Sequence, residues 1–311
     1  MAGGQERILR RRIRSVQSTK KITRAMELIA ATRVVRAQER AHAARPYSEE
    51  ITNVILDLTE SGAETNHPLL RRTDPPRRVG FVVVTSDRGL CGAYNSSVIR
   101  AAERELMAAR SEGADYSLVL VGRKGEGYFR FRHYRIDAAF GGMTDRPTYQ
   151  DAVQVADHVR QRFEAEEIDV VDLVYTRFLS VGSQRVVVRR FLPLRAQEDG
   201  GGGSPGLRAG YEFEPSPEQI LTNLLPRYVE ARLFAALLDA SASEHAARQR
   251  AMKAATDNAE ELIVKLTRVM NRARQDAITT EIMEIVGGAE ALSQRRPHPG
   301  EAQPGEEFPA A

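Results

Sequence analysis

The feature that most limits what this chain can fold into is its C-terminal stretch. From Pro217 to Val286 the composition is helical almost without a break, and at ~1.5 Å per residue that amounts to a rod of roughly 105 Å. No globular core calls for such a rod, so its apolar stripe needs a partner of comparable length. The other end of the chain supplies one. From Ala30 onward, Val34, Ala37, Ala41, Ala44, Ile51, Ile55 and Leu58 keep a four-three spacing, with Ser48 in the single polar slot. The matching C-terminal stripe is expected at Met252, Ala255, Ala259, Leu262, Leu266, Val269 and Ala273. An apolar period of about 3.5 residues makes a left-handed coiled coil. Segments at opposite chain ends with a compact region between them close most simply as an antiparallel pair, and the alanines in both stripes favour close approach.

Between the helices the period changes. Val79 to Thr85 is an apolar, β-branched run that reads as a strand covered on both faces. Strand signals recur at Tyr116 to Val121, more weakly at Arg135 to Ala139, and at Val170 to Thr176. Helical stretches near Ser96 to Ser111, Lys124 to Phe131 and Thr148 to Glu166 separate them. Alternating strands and helices predict a parallel sheet. Gln184 to Leu192 follows its predecessor after too short a connection for a crossover, so it is expected antiparallel at an edge. The fold class is therefore α/β: a long antiparallel coiled coil of the terminal helices plus a central Rossmann-like domain with a mostly parallel five-stranded sheet. The expected divisions are residues 1–60, 61–215 and 216–292, followed by a disordered tail at 293–311 with four prolines. Pro46 is expected to kink the first helix, and Pro226 the second. Ser216-Pro217-Glu218-Gln219 reads as the opening of the long helix, with Ser at the N-cap and Pro at the first helical position. Gly200 to Gly203 is expected to be a flexible loop.

Charge is distributed unevenly. Residues 1–45 hold ten Arg and two Lys against Glu6, Glu27 and Glu39, a local net of +9 within a total of +3. One end of the coiled coil therefore seeks an acidic partner, either nucleic acid or an acidic protein surface. The basic stretch has no aromatic residue before Tyr47, which argues against base stacking. The single cysteine, Cys91, rules out a disulfide framework and fits a reducing compartment. No cysteine and histidine cluster has zinc-ligand spacing. No apolar run approaches the ~20 residues of a membrane span, and no signal peptide is apparent.

Two motifs carry chemistry. SDRGLCGAYN (Ser86 to Asn95) sits where a doubly wound fold binds phosphate. Its glycines are spaced Gly89-x-x-Gly92, without GxGxxG, and no Lys-Ser/Thr follows as in a P-loop. Cys91 has no histidine nearby in sequence to activate it. The better reading is a tight turn that presents Asp87, Arg88 and Tyr94 to another protein; a local Asp87–Arg88 ion pair is the plain alternative. In ARQDAITTEI, Arg274, Gln275, Ile278 and Thr279 lie on neighbouring helix faces, and the Arg fork with its adjacent amide suits an acidic loop on a partner. Beyond them Ile282, Ile285 and Val286 form an apolar tip that needs a socket.

Taken together, IRSVQSTKKITRAMELIAATR (Ile13 to Arg33), TSDRGLCGAYN (Thr85 to Asn95), AMKAATDNAEELI (Ala251 to Ile263) and NRARQDAITTEIMEIVGGAEAL (Asn271 to Leu292) resemble the gamma subunits of F-type, rotary ATP synthases. The likeness runs from the N-terminus to Leu292. It implies a non-catalytic central-stalk rotor subunit without cofactor or metal. It would be present as a single copy, with three catalytic and three non-catalytic head subunits, an epsilon subunit and a membrane-embedded proton-driven ring as partners, and no nucleic acid. It also implies a peripheral location on the cytoplasmic face of a bacterial plasma membrane. By the same resemblance, Arg274, Gln275 and Thr279 contact a loop of a catalytic subunit, and Met26 lies near the acidic lever of another. Lys20, Lys21 and Arg24 face the same acidic surfaces, Ile282 belongs to a tip turning in an apolar sleeve, and the α/β domain that carries Asp87 and Arg88 rests on the membrane ring. The sequence departs from the family pattern at Ala93-Tyr94, where Gly-Leu is common, and at Asp276, where a small residue is usual. The readings set against this one are a nucleotide-binding α/β enzyme and a basic coiled-coil nucleic-acid scaffold.

Overall fold

The computed structural model describes residues 2–60, 67–194 and 216–294. In chain order the elements are α1 (Ala2–Glu60), β1 (Arg78–Val84), α2 (Tyr94–Ser111), β2 (Asp115–Val121), α3 (Arg123–Phe131), β3 (Ala138–Phe140), α4 (Tyr149–Glu164), β4 (Val170–Phe178), β5 (Gln184–Leu192) and α5 (Pro217–Gln294). A 3₁₀ turn at Pro68–Leu70 precedes β1. The expected loop at Gly200 to Gly203 and the tail after Gln294 lie outside the described residues.

The sheet has the order β3-β2-β1-β4-β5. β1 lies parallel to β2 and β4, β2 lies parallel to β3, and β5 is antiparallel to β4. The fold class read from the sequence is thus the observed one. Alternation along the central strands splits their side chains between two cores. Val79, Phe81 and Val83 face α2 and α3, packing with Val98, Leu106 and Phe129. Val82 and Val84 face the other way, toward Val155, Val159 and Phe163 of α4. That second core also takes Ile51, Ile55 and Leu58 from α1 and Leu221 to Ala240 from α5. β3 is shorter than the Arg135 to Ala139 run predicted. Arg135 is drawn aside by Asp115 at 3.0 Å and lies over the Tyr116 ring, and only residues 138–140 pair with β2.

Local chemistry sets the boundaries. Thr148 and Asp151 close a reciprocal capping box at the start of α4. The Ser216 hydroxyl accepts from the Gln219 backbone N–H at 3.4 Å, opening α5 as its sequence predicts. Gly122, at φ +97°, brings β2 against the end of β1; a Cβ there would lie 2.3 Å from the Thr85 carbonyl oxygen.

Contacts divide the chain into two units: the start of α1 with α5 from Ala255 onward, and Thr23–Ala254. In the first, the two terminal segments pair. Ile13, Ala259 and Leu266 are buried, and Lys20 bonds Glu260 at 3.0 Å. Along α1 the expected stripe is observed and reaches further back: Leu9, Ile13, Val16, Lys20, Thr23 and Glu27 continue the four-three spacing, all at least partly buried.

The C-terminal stripe differs from expectation. Met252, Ala259, Leu266 and Ala273 do face inward, but the alternate positions are Thr256, Ile263, Met270 and Ala277. Leu262 is 37% exposed and Val269 49%, and neither belongs to the seam. Apolar residues flank the seam on both sides, so spacing alone admits both registers. Thr256, buried at 6%, is the polar residue that made the true register look weaker.

Candidate functional site

The candidate contact residues fall into two groups. In the first unit, Lys21, Arg274, Gln275, Thr279 and Ile282 are exposed, while Lys20 is half-buried beside Glu260. The Thr279 hydroxyl donates to the Gln275 carbonyl one turn back at 3.0 Å, leaving the Gln275 side chain on an open helix face. The apolar tip is open too, with Ile282 54%, Ile285 72% and Val286 58% exposed. In the second unit, Arg24 pairs with Glu27 at 2.9 Å and Met26 is half-buried.

The Thr85 to Asn95 turn is arranged otherwise than its sequence suggests. Tyr94, expected at the surface, is buried, and its hydroxyl donates to the Ala240 carbonyl of α5 at 3.2 Å. Asp87 turns inward rather than toward Arg88. Its carboxylate accepts from the Arg123 N–H at 3.2 Å and from the Thr144 N–H and hydroxyl at 3.1 and 3.0 Å. Burial pushes this carboxyl up, and the backbone bonds from Gly142, Thr144 and Arg123 more than offset it, leaving it below the ordinary carboxylate value. Arg88 is thus the exposed member of the pair. Cys91 is 2% exposed, and burial raises its thiol above the ordinary value, the reverse of a poised nucleophile.

What sequence reasoning missed is a polar knot behind this turn. From Ala240 to Ala246 every residue of α5 is buried, so the helix is enclosed on all sides there. Arg248 donates to Glu244 Oε1 at 2.6 Å and to the carbonyls of Arg88 at 3.1 Å and Gly89 at 3.3 Å. Its other amino group meets His245 Nδ1 at 3.4 Å. Arginine can only donate, so His245 carries its proton on Nε2, which donates to the Asp145 carbonyl at 3.1 Å. Arg33 of α1 grips both oxygens of the Asp145 carboxylate, at 2.5 and 2.6 Å. Burial pushes Glu244 up to about 7 against the pull of Arg248, and holds His245 below its ordinary value. Glu244 Oε2 has no partner among the described residues. The signal in the sequence was a Glu and an Arg four apart inside the Ala- and Ser-rich run ASASEHAAR.

Asp145, Glu244 and His245 bring ligand atoms within 4.8 Å of one another. Yet each carboxylate already holds a guanidinium, and two fixed cations oppose a third. The arrangement is a closed ion-pair network rather than a metal centre.

Against known proteins, residues 5–292 match the family model described as ATP synthase. The ATP synthase gamma chain of Frankia casuarinae is 52% identical over 294 residues, covering 93% of this chain and 98% of that one. The gamma chain of Mycolicibacterium smegmatis is 48% identical over 301 residues, covering 92% and 97%. Among solved structures, a chain of the Euglena gracilis mitochondrial ATP synthase rotor superposes with a TM-score of 0.65 at 19% identity, covering 89% of this chain and 99% of that one. A chain of the Tetrahymena thermophila mitochondrial ATP synthase central stalk and c-ring gives 0.59 at 23% identity, with 75% and 99% covered. At those identities the likeness is one of fold.

Proposed function

Because this chain belongs to the ATP synthase gamma-chain family, we propose that it is the central-stalk rotor subunit that couples rotation of a membrane-embedded ring to conformational change in the catalytic head. In this reading a single copy turns inside three catalytic and three non-catalytic subunits, with an epsilon subunit and a proton-driven ring at its foot. It sits peripherally on the cytoplasmic face of the membrane; no helix among the described residues is long and apolar enough to cross one. The chain itself holds no active site in this reading.

The observation that carries the proposal is the pairing of the two terminal segments, with an exposed patch at Arg274, Gln275, Thr279 and Ile282 beyond it. One asymmetric axle cannot make the same contacts with three equivalent catalytic subunits, so it favours a different conformation in each. Coupling is the difference in its binding to those conformations, and it is reciprocal: rotation changes nucleotide affinity, and hydrolysis drives rotation. Sliding contacts must be individually weak so that no angle becomes a trap. Exposed ion pairs of about 0 to 1 kcal/mol meet that need, and Lys20, Lys21, Arg24 and Arg274 are the cations assigned to it. The turn carrying Arg88 is assigned to the foot.

The test is co-expression with the head subunits of the same synthase. One copy of this chain in each three-plus-three head supports the reading. A head that assembles and hydrolyses ATP in a fully coupled manner without it overturns the reading.

A further inference from the structure

A crevice of about 540 Å³ lies between α1, the start of α4 and α5, lined by the rings of Tyr47, Tyr149 and Phe234 and by Ala44, Ala231 and Ala235. That volume falls within the ~300 to 1,000 Å³ of ligand-sized pockets. Its rings are fixed without being covered. Tyr149 donates its hydroxyl to Glu230 Oε2 at 2.7 Å and meets Phe234 edge-on, with ring centroids 5.6 Å apart. Even so, Tyr149 remains 38% exposed and Tyr47 52%.

The same side of α1 continues into a cationic stretch. Arg36, Arg40, Ala44 and Tyr47 follow at spacings of four, four and three residues, so they share one helix face, roughly 16 Å long. Arg146 stands beside that face, on the loop that leads to Tyr149. Burial and then the Arg146 guanidinium hold Arg40 below the ordinary arginine value; Asp145 offsets part of this and Arg36 adds to it. The acids nearby are already engaged: Arg33 grips both oxygens of Asp145, and Glu230 accepts the Tyr149 hydroxyl. Arg36, Arg146 and, at the crevice, Arg227 are exposed, and among the described residues none of the three has an ion-pair partner. Arg40 Nη1 is sealed inside without a partner and contributes only through its field, so the guanidiniums within reach of another molecule are those of Arg36, Arg146 and Arg227. Arginine and aromatic side chains are the residues in which interfaces concentrate their binding energy.

We propose that this face docks an acidic segment of another protein chain, whose aromatic or branched aliphatic side chain enters the crevice while its carboxylates meet Arg36, Arg146 and Arg227. Guanidinium forks hold carboxylates by paired bonds, and the rings supply apolar contact to the uncharged anchor. Charge complementarity selects the partner: the arginines outnumber the free acids of the face. Nucleic acid fits less well, because single strands need open ring faces in a row along the cations. Here the rings gather in one crevice, and Tyr149 and Phe234 face each other. The surface is separate from the cations assigned to the catalytic head, Lys20, Lys21, Arg24 and Arg274. Only the place to look for the partner rests on the rotor reading, which makes it another subunit of the same synthase.

The test places the photoreactive residue p-benzoylphenylalanine at position 47, and separately at position 149, of the full-length chain co-expressed with the other subunits of its synthase. After irradiation, peptide mass spectrometry reads the adducts. Both positions are expected to label one segment of another subunit, net negative and carrying an aromatic or branched aliphatic residue. Arg36→Ala with Arg146→Ala should lower the yield about tenfold or more, the loss expected when two charge-assisted contacts go. Arg227→Ala should lower it independently, and Arg104→Ala, on α2, should leave it unchanged. Melting of each isolated chain shows that the variants are folded. No adduct from either position, an adduct within the chain itself or to a neutral or basic segment, or a yield indifferent to the arginines overturns the proposal. So does an arginine-dependent adduct to nucleic acid. Copies of the chain per head are counted in the same preparation, so failure of the rotor reading shows in that count and failure of this one shows in the adducts.

Discussion

Glu244 is the group whose titration should register most clearly in stability. Its side chain is 2% exposed, and burial raises the carboxyl from an ordinary 4.5 to about 7, even with Arg248 at 2.6 Å and with Asp145 and Asp87 contributing in the same direction as burial. Between those two values the folded chain keeps a proton that the unfolded chain has released, so stability falls as the pH rises through the window. Above about 7 both states are ionised and the contribution is level. The interval is worth roughly 3 kcal/mol at about 1.4 kcal/mol per pH unit. Asp239, raised from 3.8 to about 6 by burial, has the same sign. His245, held below 6.5 by burial, has the opposite sign, gaining stability as the pH rises toward that value. Glu244→Gln removes one of these terms and leaves the other two. The stability of the variant relative to wild type is therefore expected to improve by about 2 to 3 kcal/mol between about pH 5 and about pH 8. Urea unfolding followed by amide exchange of residues 240–250 reads the unit concerned. A difference that stays flat across the range would mean that Glu244 is ionised throughout, and would refute the reasoning from burial.

Leu266→Ala, at 9% exposure, should cost about 2 to 4 kcal/mol, whereas Leu262→Ala, at 37%, should cost less than about 1. Equal shifts in thermal melting would put Leu262 back in the seam. Gly122→Ala places a Cβ 2.3 Å from the Thr85 carbonyl at a φ of +97°, so a loss of about 2 to 5 kcal/mol is expected in chemical unfolding; a melt like that of wild type would mean the turn has room to move. Arg274→Glu with Gln275→Ala should lower coupled ATP turnover while leaving the melting of the isolated chain within about 0.5 kcal/mol, since both side chains are exposed. Full coupling in that double variant removes the case for the patch.

How much of this was legible in the sequence depended on whether the information was local. The strands of the sheet announced themselves because Val79 to Val84 and Leu118 to Val121 are buried on both faces and hence apolar throughout. The antiparallel edge of β5 followed from the length of one connection. The α1 stripe was more legible because much of its flank is polar: Arg33, Arg36 and Glu39 point to one face for Val34 and Ala37, although Val35 beside them is apolar and exposed. The α5 seam was only half legible, because Leu262 and Ile263 are equally apolar neighbours and hydropathy does not say which one turns inward. The polar knot left only a commonplace signal, a Glu and an Arg four apart on a helix. Glu244 and Arg248 look like an ordinary solvated pair until the fold sets the carbonyls of Arg88 and Gly89 against them, across roughly half the chain. Asp87 and Tyr94 misled for the same reason: polar groups in a turn look outward until a distant N–H or carbonyl claims them.

The knot also answers a mechanical need that the apolar seam leaves open. Burial of apolar area is non-directional, and a stripe rich in alanine presents little relief, so such a seam resists separation better than it resists rotation of one helix about its own axis. Hydrogen bonds fix an angle. On α5 the bonded positions are Ala240 to the Tyr94 hydroxyl, Ser241 and His245 to the Asp145 carbonyl, Ser243 to the Thr176 carbonyl, and Arg248 to the Arg88 and Gly89 carbonyls. At about 100° per residue these positions fan over roughly 200° of the helix circumference. A helix held from more than half its circumference cannot turn against the α/β domain without breaking several of these bonds together. Torque applied to that domain is therefore delivered to α5 at this collar. This accounts for buried charge at a place where an all-apolar contact would have packed as well but slipped.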